Sequence, residues 1–179
     1  MEFSKHIAEE SVKNFQEVME RSSGSGGAAR TLESVDTPQD RRKYVELVGE
    51  LTAAHFPSAL DTLISTDAEG ETLESIQSGG SQNVGRYVIR AFQKRLCGNA
   101  TVSKGLRKAL KDAKAQGVQV VNPTANQLSM ATATAISLII ATTFAGPIAV
   151  AVAPLIGGVT LLIMLCGFDV FCAWAADSI

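Results

Sequence analysis

Few side chains in this 179-residue chain are of a type and spacing that could do chemistry: His6, His55, Cys97, Cys166, Cys172 and an acid isolated in apolar sequence, Asp169. A zinc-type site needs ligands repeated at short intervals. Neither histidine has a Cys or a second His beside it, so metal spacing is absent. Acid–base chemistry of the ribonuclease kind would need an Arg and a His close together, whereas Arg42 and His55 stand thirteen residues apart. His55 therefore reads as a partly buried helix residue. Gly24, Gly26 and Gly27 lie in a Ser-rich stretch with no lysine placed to hold a phosphate. Three cysteines are an odd number and imply no disulfide framework, so reduced thiols are expected. Cys172 reads as apolar packing, with lipidation the alternative if it lies at a membrane interface. This inventory argues against an enzyme and calls for no cofactor and no metal.

The stronger signal is an absence of charge. From Ala115 to Phe168 the chain has no Asp, Glu, Lys or Arg for 54 residues. A membrane helix needs roughly 20 apolar residues, so Asn126 to Trp174 has room for two crossings. Gly146-Pro147 sits near the middle, where a reversal is cheap because proline lacks a donor and restricts the residue before it. The first arm is expected over Asn126 to Ala145, carrying Leu128, Ile136, Leu138, Ile139, Ile140 and Phe144 among small residues. The second starts near Ile148 and carries Leu162 and Leu165. Pro154 and Gly157-Gly158 kink that arm or delay its start to Val159. Ala149, Ala151, Ala153 and Gly157 would allow two helices to approach closely. The competing reading is an apolar hairpin buried inside a soluble bundle.

Asp169 tests the register of the second arm. If that arm runs Ile148 to Phe168, the acid sits at the membrane boundary at little cost. If it runs Gly157 to Ala176, the acid lies inside, must face a pore or a cationic partner, and leaves Trp174 as the interfacial anchor.

Charge divides the rest of the chain. Met1 to Asn83 holds 15 acidic and 7 basic residues, net -8, while Val84 to Lys114 holds 9 basic and one acidic, net +8. The basic block reads as two amphipathic helices. In the first, about Val84 to Leu96, Val84, Val88, Ala91 and Phe92 line one side, with Arg86, Arg90, Lys94 and Arg95 elsewhere. In the second, about Thr101 to Ala115, Val102, Leu106, Ala109, Leu110 and Ala113 lie opposite Lys104, Arg107, Lys108 and Lys111, with Lys114 at the end. Such cations bind anionic lipid or a protein surface; otherwise they are solvated faces paired with the acidic half. Nucleic acid is disfavoured, since no recognised binding module accompanies them.

Amphipathic helices also organise the acidic half. Phe3, Ile7, Val12, Phe15, Val18 and Met19 recur at helical spacing and predict a helix ending near Arg21, followed by a flexible Ser22 to Gly27 linker. Thr37-Pro38-Gln39-Asp40 is a helix start, with Thr37 as cap and Pro38 at the first position. Tyr44, Leu47, Val48, Leu51 and Ala54 line its apolar face until Pro57, and Ser58 to Ser65 adds another turn or two. Thr66 to Gly80 is acidic and loop-like, with a short helix around Glu71 to Gln77. The expected fold class is all-α: short amphipathic helices, then a C-terminal hydrophobic transmembrane hairpin. Its three regions are 1–83 (acidic), 84–122 (basic, juxtamembrane) and 123–179 (hairpin).

This order resembles the pore-forming domains of colicin-like toxins. The likeness is architectural and rests on the basic helices, the apolar run from Leu128 to Phe171 and the Ala145-Gly146-Pro147 reversal. It implies a bundle that shields its hairpin in water and opens on a membrane to form an ion-conducting channel. The function expected is that of a membrane-permeabilising effector, with anionic lipid headgroups as partners and homo-oligomers as the active form. The alternative is a membrane-anchored adaptor, immunity or regulatory protein whose helices bind a protein partner. Lys104 to Lys114 ahead of the hairpin place both ends on the cytoplasmic side. Met1 to Glu20 does not resemble a signal peptide, so insertion is expected late, from a soluble form. Acid is a candidate trigger, because protonating carboxylates loosens the pairing of the two charged halves.

Overall fold

The computed structural model describes residues 3–23, 38–67, 72–115, 121–122, 127–128 and 130–177. The Gly24 to Gly27 part of the linker and the Thr37 cap lie outside them. Helix α1 (Lys5–Ser23) extends two residues past the expected end at Arg21 and buries Val12, Phe15, Val18 and Met19. Helix α2 (Pro38–His55) begins on its proline, whose missing donor costs nothing in a first turn. The same device starts α3 (Pro57–Thr66), with Phe56 at its cap position. Between the acids of the next segment, Thr72 and Ser75 exchange backbone and side-chain hydrogen bonds of 3.2 and 3.0 Å. That capping box starts the short α4 (Leu73–Gln77).

The basic block forms α5 (Gly80–Cys97), which starts four residues before the expected Val84, and α6 (Ala100–Ala115). Asn99 caps α6 by accepting from the Val102 amide at 3.1 Å, and the Ser103 hydroxyl reaches back to the Leu96 carbonyl at 2.9 Å. The apolar faces fall as the periodicity predicts: Val84, Val88, Ala91 and Phe92 on α5, and Val102, Leu106 and Ala113 on α6, are buried.

The charge-free run departs from two long arms. Gln127–Leu128 (β2) pairs antiparallel with Val121–Asn122 (β1), so the first arm does not begin as helix at Asn126. Helix α7 (Met130–Ala141) is only 12 residues long. The chain breaks at Thr142–Phe144, ahead of the expected turn. Gly146-Pro147 opens a new helix, α8 (Gly146–Ala151), instead of making that turn; proline's fixed φ and missing donor are compatible with a first helical turn. Pro154 likewise starts α9 (Ala153–Cys166), and Gly157-Gly158 lie inside it without interrupting it. The real break is Gly167, at φ +85°, a conformation that a side chain would oppose. Beyond it α10 (Phe168–Asp177) leaves at 109° to α9.

The fold is thus an all-helical bundle whose only extended pairing among the described residues is two residues long. Its centre is α9, which packs against α1, α3, α5, α7, α8 and α10. Every residue from Leu155 to Met164 is buried, as expected for a helix apolar on all sides. Two close crossings hold the layers together. A side-chain carbon on Gly157 would stand 2.4 Å from the Ser11 carbonyl oxygen of α1, and one on Gly85 would stand 1.9 Å from the Val45 carbonyl oxygen of α2.

Candidate functional site

The apolar helices and the cations around them form the site that the sequence singles out. Ile136 of α7 and Leu162 of α9 are fully enclosed, while Ile139 and Leu165 are half-buried. Ile139 lies against Gly105 of α6, where an added side-chain carbon would be 3.5 Å from its Cδ1. Phe144, in the turn after α7, meets the Phe92 ring edge-on at 5.6 Å. Gly146 and Pro147 are exposed and Pro154 is half-buried. Gly157 and Gly158 face α1, so the small residues expected to bring the two arms together serve instead to seat α1, with Phe15 over Gly158. Leu128 lies in β2, and its side chain is outside the described residues.

Polar contacts fasten this apolar centre to its cover. Ser137 of α7 and Thr160 of α9 share a buried hydroxyl contact of 2.8 Å. Gln93 of α5 donates to the Phe171 carbonyl of α10 at 2.8 Å. Tyr44 of α2 donates to the Gly158 carbonyl at 3.4 Å. Burial, and secondarily the nearby Cys166 thiol, pushes the Tyr44 phenol far above its ordinary range, so it stays protonated. No metal-holding group of three or more ligands occurs among the described residues.

The cations split into two sets. Lys104, Arg107, Lys108, Lys111 and Lys114 are exposed on α6. Arg107 reaches Asp169 with Nε at 3.0 Å and a terminal nitrogen at 2.8 Å, and stacks over Phe168 at 5.3 Å. Asp169 therefore has a cationic partner, at the first turn of α10 beside the Gly167 break. The second set lies on α5: Arg90 and Lys94 are exposed, Arg86 is half-buried and Arg95 is engaged. Arg95 donates to the Thr143 carbonyl at 2.7 Å, pairs with Asp67 and lies 4.0 Å over the Phe144 ring. One side chain thus clamps the α7–α8 turn to the end of α3.

The expectation of reduced, unlinked thiols is corrected. Cys97 at the end of α5 and Cys172 in α10 form a disulfide with Cα atoms 5.8 Å apart, and Cys166 is not part of it. Counting cysteines could not reveal it, because the two stand 75 residues apart in sequence. Asp67 and Gln93 carried no sequence signal either. Tyr44 did, as a member of the apolar stripe of α2.

No single helix among the described residues is long and apolar enough to cross a membrane. At about 1.5 Å per residue, α7 and α9, with 12 and 14 residues, reach about 18 and 21 Å of the roughly 30 Å required. Among the described residues, only α9 taken with Phe168–Trp174 meets the length and hydropathy of a span, and that pair is bent. Comparison of the chain with protein families, with curated proteins and with solved structures finds no match in any of the three.

Proposed function

We propose that this protein is a membrane-inserting, oligomerising effector that carries its apolar helices under an amphipathic cover and delivers them to a bilayer. The observation that carries this reading is a central helix apolar on every face, continued through a single glycine into a second apolar helix. Straightened at Gly167, Ala153 to Trp174 is 22 residues, about 33 Å long, enough for the hydrocarbon core. Asp169 would then lie in the last third of the span, where an acid costs less than at the centre.

The energetics favour a lipid-dependent opening. Uncovering Leu155, Ile156, Val159, Leu161, Leu162, Ile163 and Met164 in water would cost on the order of 10–20 kcal/mol. That matches or exceeds the whole stability of a typical domain, about 5–15 kcal/mol, so α9 stays covered in water. Hydrocarbon removes the penalty. The exposed cations of α6 supply the approach to anionic headgroups, at about 1 kcal/mol each.

Leakage of dye from anionic vesicles tests the reading. Val170→Lys places a charge at an exposed position of α10, inside the span from Ala153 to Trp174, and leakage should fall to background while the far-ultraviolet helix signal persists. Undiminished leakage by this variant would sink the proposal. The adaptor reading draws on the same complete burial of α9, which suits a permanent core; full-length protein that leaves vesicles intact while binding a protein partner would favour it.

A further inference from the structure

The geometry points to the Cys97–Cys172 disulfide as a redox latch: while it is closed α10 stays docked in the bundle, and its reduction by a dithiol lets α10 leave for a bilayer. The inference rests on the insertion reading and names its control.

The latch acts through reach. Cys172 stands five residues beyond Gly167, about 7.5 Å along α10. Removing the 109° bend at Gly167 would carry it through about 12 Å on that rise. A disulfide tolerates at most about 7 Å between its Cα atoms, and these stand 5.8 Å apart. With the bond closed, α9 and α10 cannot straighten while α5 keeps its place. That place is held by the close crossing of α5 and α2, where a side-chain carbon on Gly85 would press on the Val45 carbonyl. Straightening would have to pull the α2–α5 layer apart.

The other ties of α10 differ in kind. Phe168, Phe171 and Trp174 are buried at three-residue intervals, and lipid tails replace that packing, being as apolar as the core. Arg107 and Asp169 pair with side chains 57% and 77% exposed, so water and headgroups compete for them. Gln93 adds its hydrogen bond to the Phe171 carbonyl. Neither lipid nor water substitutes for the covalent bond.

A reductant has access. Cys97 and Cys172 are half-buried, with Gly98, Asn99 and Ala173 exposed beside them. One thiolate of the dithiol attacks a sulfur of the bond and displaces the other as a thiolate, and the second thiolate then resolves the mixed disulfide. Two electrons and two protons pass to Cys97 and Cys172, and the dithiol leaves as its own disulfide. Opening is thereby tied to entry into a reducing compartment.

Trp174 is the chain's one tryptophan and lies on α10, so its emission reports this helix directly. Vesicles of phosphatidylglycerol mixed with chain-brominated phosphatidylcholine quench a tryptophan that enters them. Full-length protein treated with dithiothreitol should be quenched at least about tenfold faster than oxidised protein, a factor within the constraint that a disulfide of this loop length imposes, and dye leakage should rise in step. In buffer alone, reduction should leave Trp174 emission and the far-ultraviolet helix signal unchanged, since the aromatic face stays buried. Cys97→Ala with Cys172→Ala should match reduced protein with or without dithiothreitol, and Cys166→Ala should keep the wild-type response. Equal quenching rates for oxidised and reduced protein would leave insertion standing and overturn the latch. Loss of helix signal or exposure of Trp174 on reduction in buffer would make the bond a structural staple, which also overturns it. Absence of quenching in every form would overturn insertion, and the latch with it.

Discussion

Tyr44 does two jobs with one side chain. Its ring fills the core under α9, and its hydroxyl reaches the Gly158 carbonyl. Because burial raises the phenol's proton affinity in the folded state only, the folded protein holds the proton at pH values where the unfolded chain releases it. The resulting stability is fully present below about pH 10, the ordinary tyrosine value, and is lost as pH rises above it. We expect the stability of the wild-type protein to fall by up to about 1.4 kcal/mol per pH unit there from this group alone. Tyr44→Phe should remove that component while costing less than about 1 kcal/mol at neutral pH, because the hydrogen bond is long. Urea unfolding at a series of pH values reads both quantities, and parallel curves for the two proteins would refute the assignment. The tyrosine's place in an apolar stripe was legible from helical spacing, whereas its partner, 114 residues away, was not.

At the scale of elements, the glycines of α9 change meaning between sequence and structure. In the sequence they read as a kink or as an arm-to-arm contact within a hairpin. In the fold they are the groove that receives α1. Gly157→Ala would press a carbon against the Ser11 carbonyl and force the two helices apart, at a cost of about 1–3 kcal/mol. The prediction extends to activity. A loosened α1 uncovers α9, so this variant should leak vesicles faster than wild type despite its lower unfolding midpoint. Gly85→Ala strains the α2–α5 crossing instead and should lower the midpoint without a matching gain in leakage. Equal effects of the two on leakage would show that α1 is no special cover. Helix identities and most of the apolar faces on α1, α2, α5 and α6 were readable because period 3.6 and proline starts are local properties, although Ala54, expected on the apolar face of α2, and His55, expected to be partly buried, are exposed. The break before Gly146-Pro147 and the extended pairing at Leu128 were not, since each depends on what the segment packs against.

For the whole molecule, the decisive link is the Cys97–Cys172 disulfide. It ties α10 to α5 and closes a loop across a sequence separation of 75. Loop-closure entropy puts its stabilisation at about 4 kcal/mol, to be measured by urea unfolding of Cys97→Ala with Cys172→Ala. The same bond would restrain the proposed straightening of α9 and α10 at Gly167. If the proposed insertion holds, leakage should accelerate in the double variant, and identical rates would show that it does not require α10 to move. Contacts also cross the three regions set by charge: α2 packs on α5, and α9 packs on α1, α3 and α5. Acidic, basic and apolar regions consequently share one core.

By itself the sequence determined the helical class, the apolar faces of the amphipathic helices, the division of charge and the existence of an uncharged C-terminal run. Each follows from local spacing or composition, which no tertiary contact is needed to define. Only the tertiary structure decided that the run forms short helices around a central α9, that α1 seats on its glycines, that Arg107 answers Asp169, and that Cys97 meets Cys172. Those outcomes bring together residues tens of positions apart, so no local spacing or composition defines them.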